Sequence, residues 1–411
     1  MSRRLDLRWV FRVGGLVALV IAYAILWLKM LNDPVEYTGS DFITYYTVGV
    51  IANRYGFEHV YDFNLQKAVE EEIVGFEVAD SNVMPHNHIP LLNPLLAILV
   101  TVTDEKYLLA LCVWALILLQ AYILAIWTLL RARPDRMDAS PANLLAFLLF
   151  FPLFVSLMNG QDTVLLVLGA ILLVSGVVKH KDWTAGLGLA LMTVRPQIAV
   201  MLALPFLFTN RRIWWGFCAI ACVFVLVSLA PLGLAGLNSF LDIMSTAVTG
   251  SRDTAMFNVI GFLSRALPSV STSLIQAVGW VAYVLGIGGL CFLWKKARQV
   301  DERLLGLALI LSLLLSPHLV YHDLTLLMVP LAIALWEAIG AEVLRRNDAA
   351  VVVLAVSVFL LLSFMHITMQ RFVVYLFMDV LLVYLWQFPR LNYWLAAKMP
   401  PVVKESECRK R

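Results

Sequence analysis

YLLALCVWALILLQAYILAIWTLL, residues 107–130, contains no charged residue and is followed at once by Arg131, Arg133 and Arg136. A helix needs about 20 mostly apolar residues to cross roughly 30 Å of hydrocarbon, and its backbone polar groups pair internally, as lipid demands. Lys and Arg accumulate on the cytoplasmic side of such helices, so the stretch reads as a span that ends there. The rest of the chain repeats the pattern. Of its 411 residues, 61% are hydrophobic and 14% charged, and the mean hydropathy is +0.83. That composition excludes a water-soluble domain and leaves an all-α polytopic membrane protein.

Working outward from 107–130, about ten full spans are expected: 10–31, 107–130, 141–158, 162–179, 211–230, 274–294, 303–317, 323–340, 349–366 and 372–388. Two apolar pieces do not fit. Ile89–Val102 is short and interrupted by Pro94, and Trp183–Phe208 is broken at Arg195-Pro196-Gln197, so both are expected to be re-entrant or interfacial. With both termini cytoplasmic, 23 of the 31 basic residues fall inside and 8 outside. Counting either odd piece as a further span would invert every later loop.

The expected organisation is one integral membrane domain, 1–411. It has a first extracytoplasmic loop at 32–106, a second at 231–273 and a cytoplasmic tail at 389–411. Arg3, Arg4, Arg8 and Arg12 resemble a secretory n-region, but Val13–Leu28 is followed by no small-x-small cleavage site, so an uncleaved anchor is expected. A net charge of +3 gives no argument for nucleic acid. Cys112, Cys218, Cys222, Cys291 and Cys408 are odd in number and mostly within apolar segments, so no disulfide framework is read. Phe42, Tyr45, Tyr46, Gly49 and Ala52 recur at helical spacing and suggest a helix along the membrane surface. Glu70-Glu71-Glu72 reads as a solvated face. No internal repeat is evident.

Ionisable groups at membrane depth are expensive and mark function. In this orientation the unusual ones lie outside: Asp41; His86 and His88 around Asn87; Asn159, Gln161 and Asp162 around Gly160; Arg195 with Gln197; and His318, His322 and Asp323. A shared outer-face cavity accounts for them together. Each has a plainer reading. Asn159-Gly160 is an ordinary turn, and Arg195-Pro196 could be a helix break whose cation snorkels. His318 and His322, four apart, have metal-pair spacing, but no Glu or Cys matches them, and no metal or other cofactor is expected.

Several of these segments, in order, resemble glycosyltransferase family 87, polytopic bacterial transferases of GT-C fold. Ser40-Asp41-Phe42 with Tyr45 and Tyr46 resembles the family's first-loop acidic motif, and Tyr61-Asp62 with Gln66 its Tyr-Asp-x-x-x-Gln pattern. Asn159-Gly160-Gln161, Arg195-Pro196-Gln197 and Ser316-Pro317 with His322 resemble its Asn-Gly-Gln, Lys-Pro-Gln and Ser-Pro-x-x-x-x-His segments. The chain departs from the family in having Arg at 195 for Lys and His88-Ile89-Pro90-Leu91 for a Tyr-x-Pro-Pro sequence.

The resemblance implies inverting transfer of a sugar, mannose or arabinofuranose in type, from a polyprenyl-phosphate donor. The acceptor is a glycolipid or glycan at the outer face of the bacterial cytoplasmic membrane, and the enzyme is expected to act as a monomer among membrane lipids. The chemistry fits the residues. Displacement at an anomeric carbon needs a carboxylate to take the acceptor's proton, and donors and cations around the departing phosphate. Asp41 is the expected base. Arg195, His322 and His88 are the expected phosphate clamp, with Tyr45, Tyr46, His86, Asn159, Gln161, Asp162, Gln197, His318 and Asp323 around the substrates. A flippase for lipid-linked sugars would show paired charges at mid-bilayer. A polymerase or ligase using a diphosphate donor would carry its large outer loop late in the chain.

Overall fold

A computed structural model describes residues 7–249, 253–297, 300–365 and 374–387, and the helices in them run as follows. α1 (Leu7–Asn32) leads through the short α2 (Pro34–Thr38) to α3 (Phe42–Arg54), α4 (Phe63–Val74) and α5 (Asn93–Val102). α6 (Tyr107–Leu130), the bent pair α7 (Pro141–Leu148) and α8 (Phe151–Met158), and α9 (Thr163–Val178) follow. Next come α10 (Asp182–Leu191), α11 (Pro196–Thr209), α12 (Arg211–Leu229), α13 (Gly233–Thr249), α14 (Val259–Ala266) and α15 (Thr272–Ala297). The last are α16 (Glu302–Leu315), α17 (Met328–Gly340), α18 (Ala349–Met365) and α19 (Val374–Gln387). The 389–411 tail lies outside the described residues.

Five stretches are long and apolar enough to cross a membrane: Val13–Asn32, α6, α12, α15 and Tyr321–Gly340. α7 and α8, bent by 58°, make a sixth if taken together. The other expected spans are shorter. α16, at 14 residues, rises about 21 Å at 1.5 Å per residue, well under the hydrocarbon thickness, and much of it is buried among neighbouring helices. The lipid-facing surface is instead supplied by exposed apolar side chains of α1 (Val17, Val20, Ile21), α12 (Val223, Leu226, Val227) and α15 (Val281, Val284, Leu285). A soluble protein would not leave so many in the open.

Close backbone approach organises the centre. A Cβ on Gly169 of α9 would lie 2.6 Å from the Gly188 carbonyl oxygen of α10, and one on Gly188 would lie 2.4 Å from that of Gly169. Small residues are the usual means by which membrane helices meet so closely. α10 and α11 form the broken hairpin expected at 183–208. Its two feet touch, Asn210 Nδ2 donating to Asp182 Oδ1 at 3.0 Å, so the segment returns to the end it started from. Its tip is the Arg195-Pro196 break, where Arg195 adopts φ −126°, ψ 81° and Pro196 begins α11.

The basic loops expected inside gather at one end of the bundle. Arg133 pairs with Glu302, Arg346 donates to the Asp135 carbonyl, and Arg303 lies 3.7 Å from Glu337. The polar turns at 159–162, 195 and 318–323 gather elsewhere, around one cavity.

Two expectations for the first loop are corrected. α3 does not lie on a surface: Phe42 to Ala52 are all buried, and a Cβ on Gly49 would sit 2.6 Å from the Leu96 carbonyl oxygen of α5. Nor is the 70–72 run uniformly solvated. Glu70 is 3% exposed and accepts from the Met84 N–H, while Glu71 holds the Val78 N–H and Glu72 pairs with Arg54. Burial pushes the Glu70 carboxyl up to about 7.

Candidate active site

Asp41 stands at the start of α3, and its side chain caps no backbone N–H there. The carboxylate is therefore available to the cavity and is 39% exposed. Gln161 reaches it from the α8–α9 turn, Nε2 donating to Asp41 Oδ2 at 2.5 Å. The turn is fixed by Gly160, whose φ of +65° suits glycine and where a Cβ would fall 2.9 Å from Phe42. Trp114 Nε1 donates to the Gly160 carbonyl at 2.8 Å. Tyr45, one turn along α3, donates to Gln161 Oε1 at 3.3 Å and lies at the same distance from the His88 ring.

The contacts continue into a ring. His88 Nδ1 is 3.4 Å from Asp162 Oδ2. Arg195 meets Asp162 through Nη1 at 3.2 Å and Asp323 through Nε at 2.9 Å. Its Nη2 is 3.5 Å from His322 Nε2, and His322 Nδ1 is 3.7 Å from Asp41 Oδ2. Arg195 Nη1 also donates to the Val194 carbonyl. Its guanidinium is thus engaged by two buried carboxylates, and Nη2 is the nitrogen directed at His322.

A cavity of 930 Å³ opens over this ring. Its polar lining includes Asp41, Thr44, Asn87, His88, Gln161 and Arg195, with Gln197, His318 and His322 beside them. An apolar wall faces it: Val200 of α11, Met244 of α13, Phe257 and Ile260 around the start of α14, and Trp280 and Tyr283 of α15. Asn258 Nδ2 donates to the Ser316 carbonyl at 2.7 Å and Phe257 N–H to the Leu319 carbonyl at 3.0 Å. These bonds bring the α14 end of the wall against the 316–322 segment.

Not every residue expected around the substrates reaches the cavity. Asp162 and Asp323 lie beneath it and act through Arg195 and His88. Tyr46 points the other way, donating to the Glu105 carbonyl at 2.5 Å. Asn159 ends α8 without lining the cavity. His86 is buried behind His88, ring centroids 5.3 Å apart. Burial, with the neighbouring His88, lowers its pKa to about 3, so it is neutral.

The Tyr61-Asp62-x-x-x-Gln66 segment acts from behind. Asp62 caps α4, Gln66 Oε1 accepts from the His86 N–H at 3.0 Å, and Tyr61 donates to the His88 carbonyl at 2.7 Å. Trp280 and Tyr283 were not singled out by sequence, and Asn87 was named only as one of the outer polar groups, without a role. An aromatic pair three apart in an apolar helix looks the same whether it faces lipid, core or cavity.

The fold and the site define a polytopic helical membrane protein that holds a carboxylate, two histidines and an ion-paired arginine around a cavity with one apolar wall. The profile of glycosyltransferase family 87 matches residues 90–317, more than half of the chain, and the chain belongs to that family as a membrane glycosyltransferase. The matched residues include Gln161, Asp162 and Arg195, while Asp41 and His322 flank them. No curated protein matches the chain.

Proposed function

We propose that the protein transfers a sugar, with inversion, from a polyprenyl-phosphate donor to a glycolipid or glycan acceptor at the outer face of the bacterial cytoplasmic membrane. The observation that carries this reading is the Asp41 carboxylate, held by Gln161 yet exposed on the polar side of a cavity whose other side is apolar. An amphiphilic donor suits such a cavity, its isoprenoid part against Val200, Phe257 and Trp280 and its phosphate and sugar over the ring.

In the reaction, the acceptor oxygen bonds to the anomeric carbon as the bond from that carbon to the phosphate oxygen breaks. The acceptor's proton passes to Asp41. Gln161 holds Oδ2, which leaves Oδ1 as the oxygen that takes the proton. The departing phosphate keeps the bonding electron pair, and His322, His88 and Nη2 of Arg195 supply the hydrogen bonds that stabilise it. Gln197 and His318 border the same space. Arg195 carries one positive charge between Asp162 and Asp323, so the histidines take a larger share of the clamp than sequence alone suggested.

The test is transfer by the purified protein from polyprenyl-phosphate mannose or arabinofuranose. Asp41→Asn should lower turnover by a factor of about 10² to 10⁴ while polyprenyl phosphate still binds. Near wild-type turnover in that variant would move the base elsewhere.

A further inference from the structure

Between Gly75 and Pro90 the chain has no helix, and its backbone polar groups must find partners elsewhere. Many of them find α4 and the residue pair before it. Val78, Met84 and His86 N–H groups go to Glu71, Glu70 and Gln66, and the His88 carbonyl goes to Tyr61. Gln66 and Glu70 are one turn apart, so they share a face of α4. That face is a rack on which the segment is hung.

Asn87 sits between two of these attachments, His86 and His88. The backbone on either side of it is held, and the rings of His86 and His88, tilted 36° to each other, belong to its two neighbours. Its side chain is nonetheless exposed, lines the cavity with Asp41, Thr44 and His88, and makes no hydrogen bond among the described residues. An exposed amide on a loop normally loses backbone freedom when it binds something. Here the fold has already removed that freedom, which favours a ligand.

The group offered is neutral, with two N–H donors and a carbonyl acceptor. It cannot take the acceptor's proton and brings no charge to a phosphate. It does match sugar hydroxyls, each of which donates and accepts. It is also adjacent in sequence to His88, on the clamp side of the ring rather than next to the base. We infer that Asn87 hydrogen-bonds a hydroxyl of the sugar carried by the donor and so helps decide which sugar is accepted, with Gln66 and Tyr61 as its positioning residues. This rests on the donor class proposed above.

The full chain in nanodiscs is titrated with bare polyprenyl phosphate and with its mannosyl, glucosyl, galactosyl and arabinofuranosyl esters. The sugar increment is the ratio of the tightest ester's affinity to that of the bare lipid. Asn87→Ala should reduce this increment about tenfold, the effect of one lost hydrogen bond, with affinity for bare polyprenyl phosphate and thermal stability unchanged. Gln66→Leu should reduce the same increment by releasing the segment. An Asn87→Ala increment equal to wild type overturns the inference, as does an effect seen only in the KM for the acceptor. Should the wild type gain nothing from any of the four sugars, or fail to bind the bare lipid, the donor class itself falls, which is a different outcome.

Discussion

Arg195→Met removes the one cation between Asp162 and Asp323. The side chains of the three residues are 9%, 2% and 0% exposed, so solvent does little to replace what is lost. Breaking one buried ion pair by deleting a partner typically costs about 3–5 kcal/mol, because the remaining charge stays buried. Two buried carboxylates lose their arginine here, though His88 and the Val320 N–H stay beside them, and the double loss places the expected cost near the top of that range. Arg195→Lys restores the charge without the planar fork that meets both carboxylates at once, and should recover about half. Adding Asp323→Asn to Arg195→Met removes one of the two buried charges and should also recover a substantial part. Unfolding in mixed detergent micelles with increasing dodecyl sulfate measures each difference. The reasoning fails if Arg195→Met stays within about 1 kcal/mol of wild type, a margin small enough for an exposed pair. It fails equally if Asp323→Asn adds a second loss of similar size.

Gln161→Leu leaves Asp41 in place but frees its carboxylate to rotate. Turnover should fall on the order of 10²-fold with donor affinity unchanged, and equal losses in both would make Gln161 a binding group instead. Burial raises the Glu70 carboxyl from 4.5 to about 7, so its contribution to stability is fully present below pH 4.5 and is lost as pH rises through 7. Glu70→Gln should therefore gain stability relative to wild type between pH 5 and pH 8, whereas parallel curves would contradict the assignment. For orientation, single cysteines replacing Lys106 and Lys181 in a cysteine-free background should be labelled from outside only at 106. Outside labelling at 181 would invert the topology.

The convergence of Asp41, Gln161, Arg195 and His322 on one cavity was legible because polar groups in a bilayer protein have few places to go. Once the basic loops are sorted to one end, the remaining charges must share the other or be buried together. The hairpin was legible for a similar reason, since Pro196 cannot continue the hydrogen-bonding of α10. The ten-span count did not follow so directly, because a helix buried within a bundle can be shorter than the hydrocarbon is thick, as α16 is. Burial of α3 and the direction of Tyr46 were hidden by a general limit. Helical periodicity separates a wet face from a dry one, and in a membrane bundle the lipid face and the core face are both dry. Glu70 was hidden because three consecutive carboxylates on a helix point in three directions, and only the fold decides which one is covered.

The hairpin α10–α11 has both feet at one end and Arg195 at its tip, and this bears on the order of assembly during synthesis. Asp162 precedes the hairpin in the chain, but Asp323 follows Arg195 by 128 residues. Until that later segment leaves the ribosome and docks, the arginine has only one of its two carboxylate partners. The tip is therefore stable in its final place only after α16 and the turn that follows it have joined the bundle. Those same residues carry His322 to Asp41. The second ion pair of the tip and the approach of His322 to Asp41 therefore depend on one and the same segment being in place.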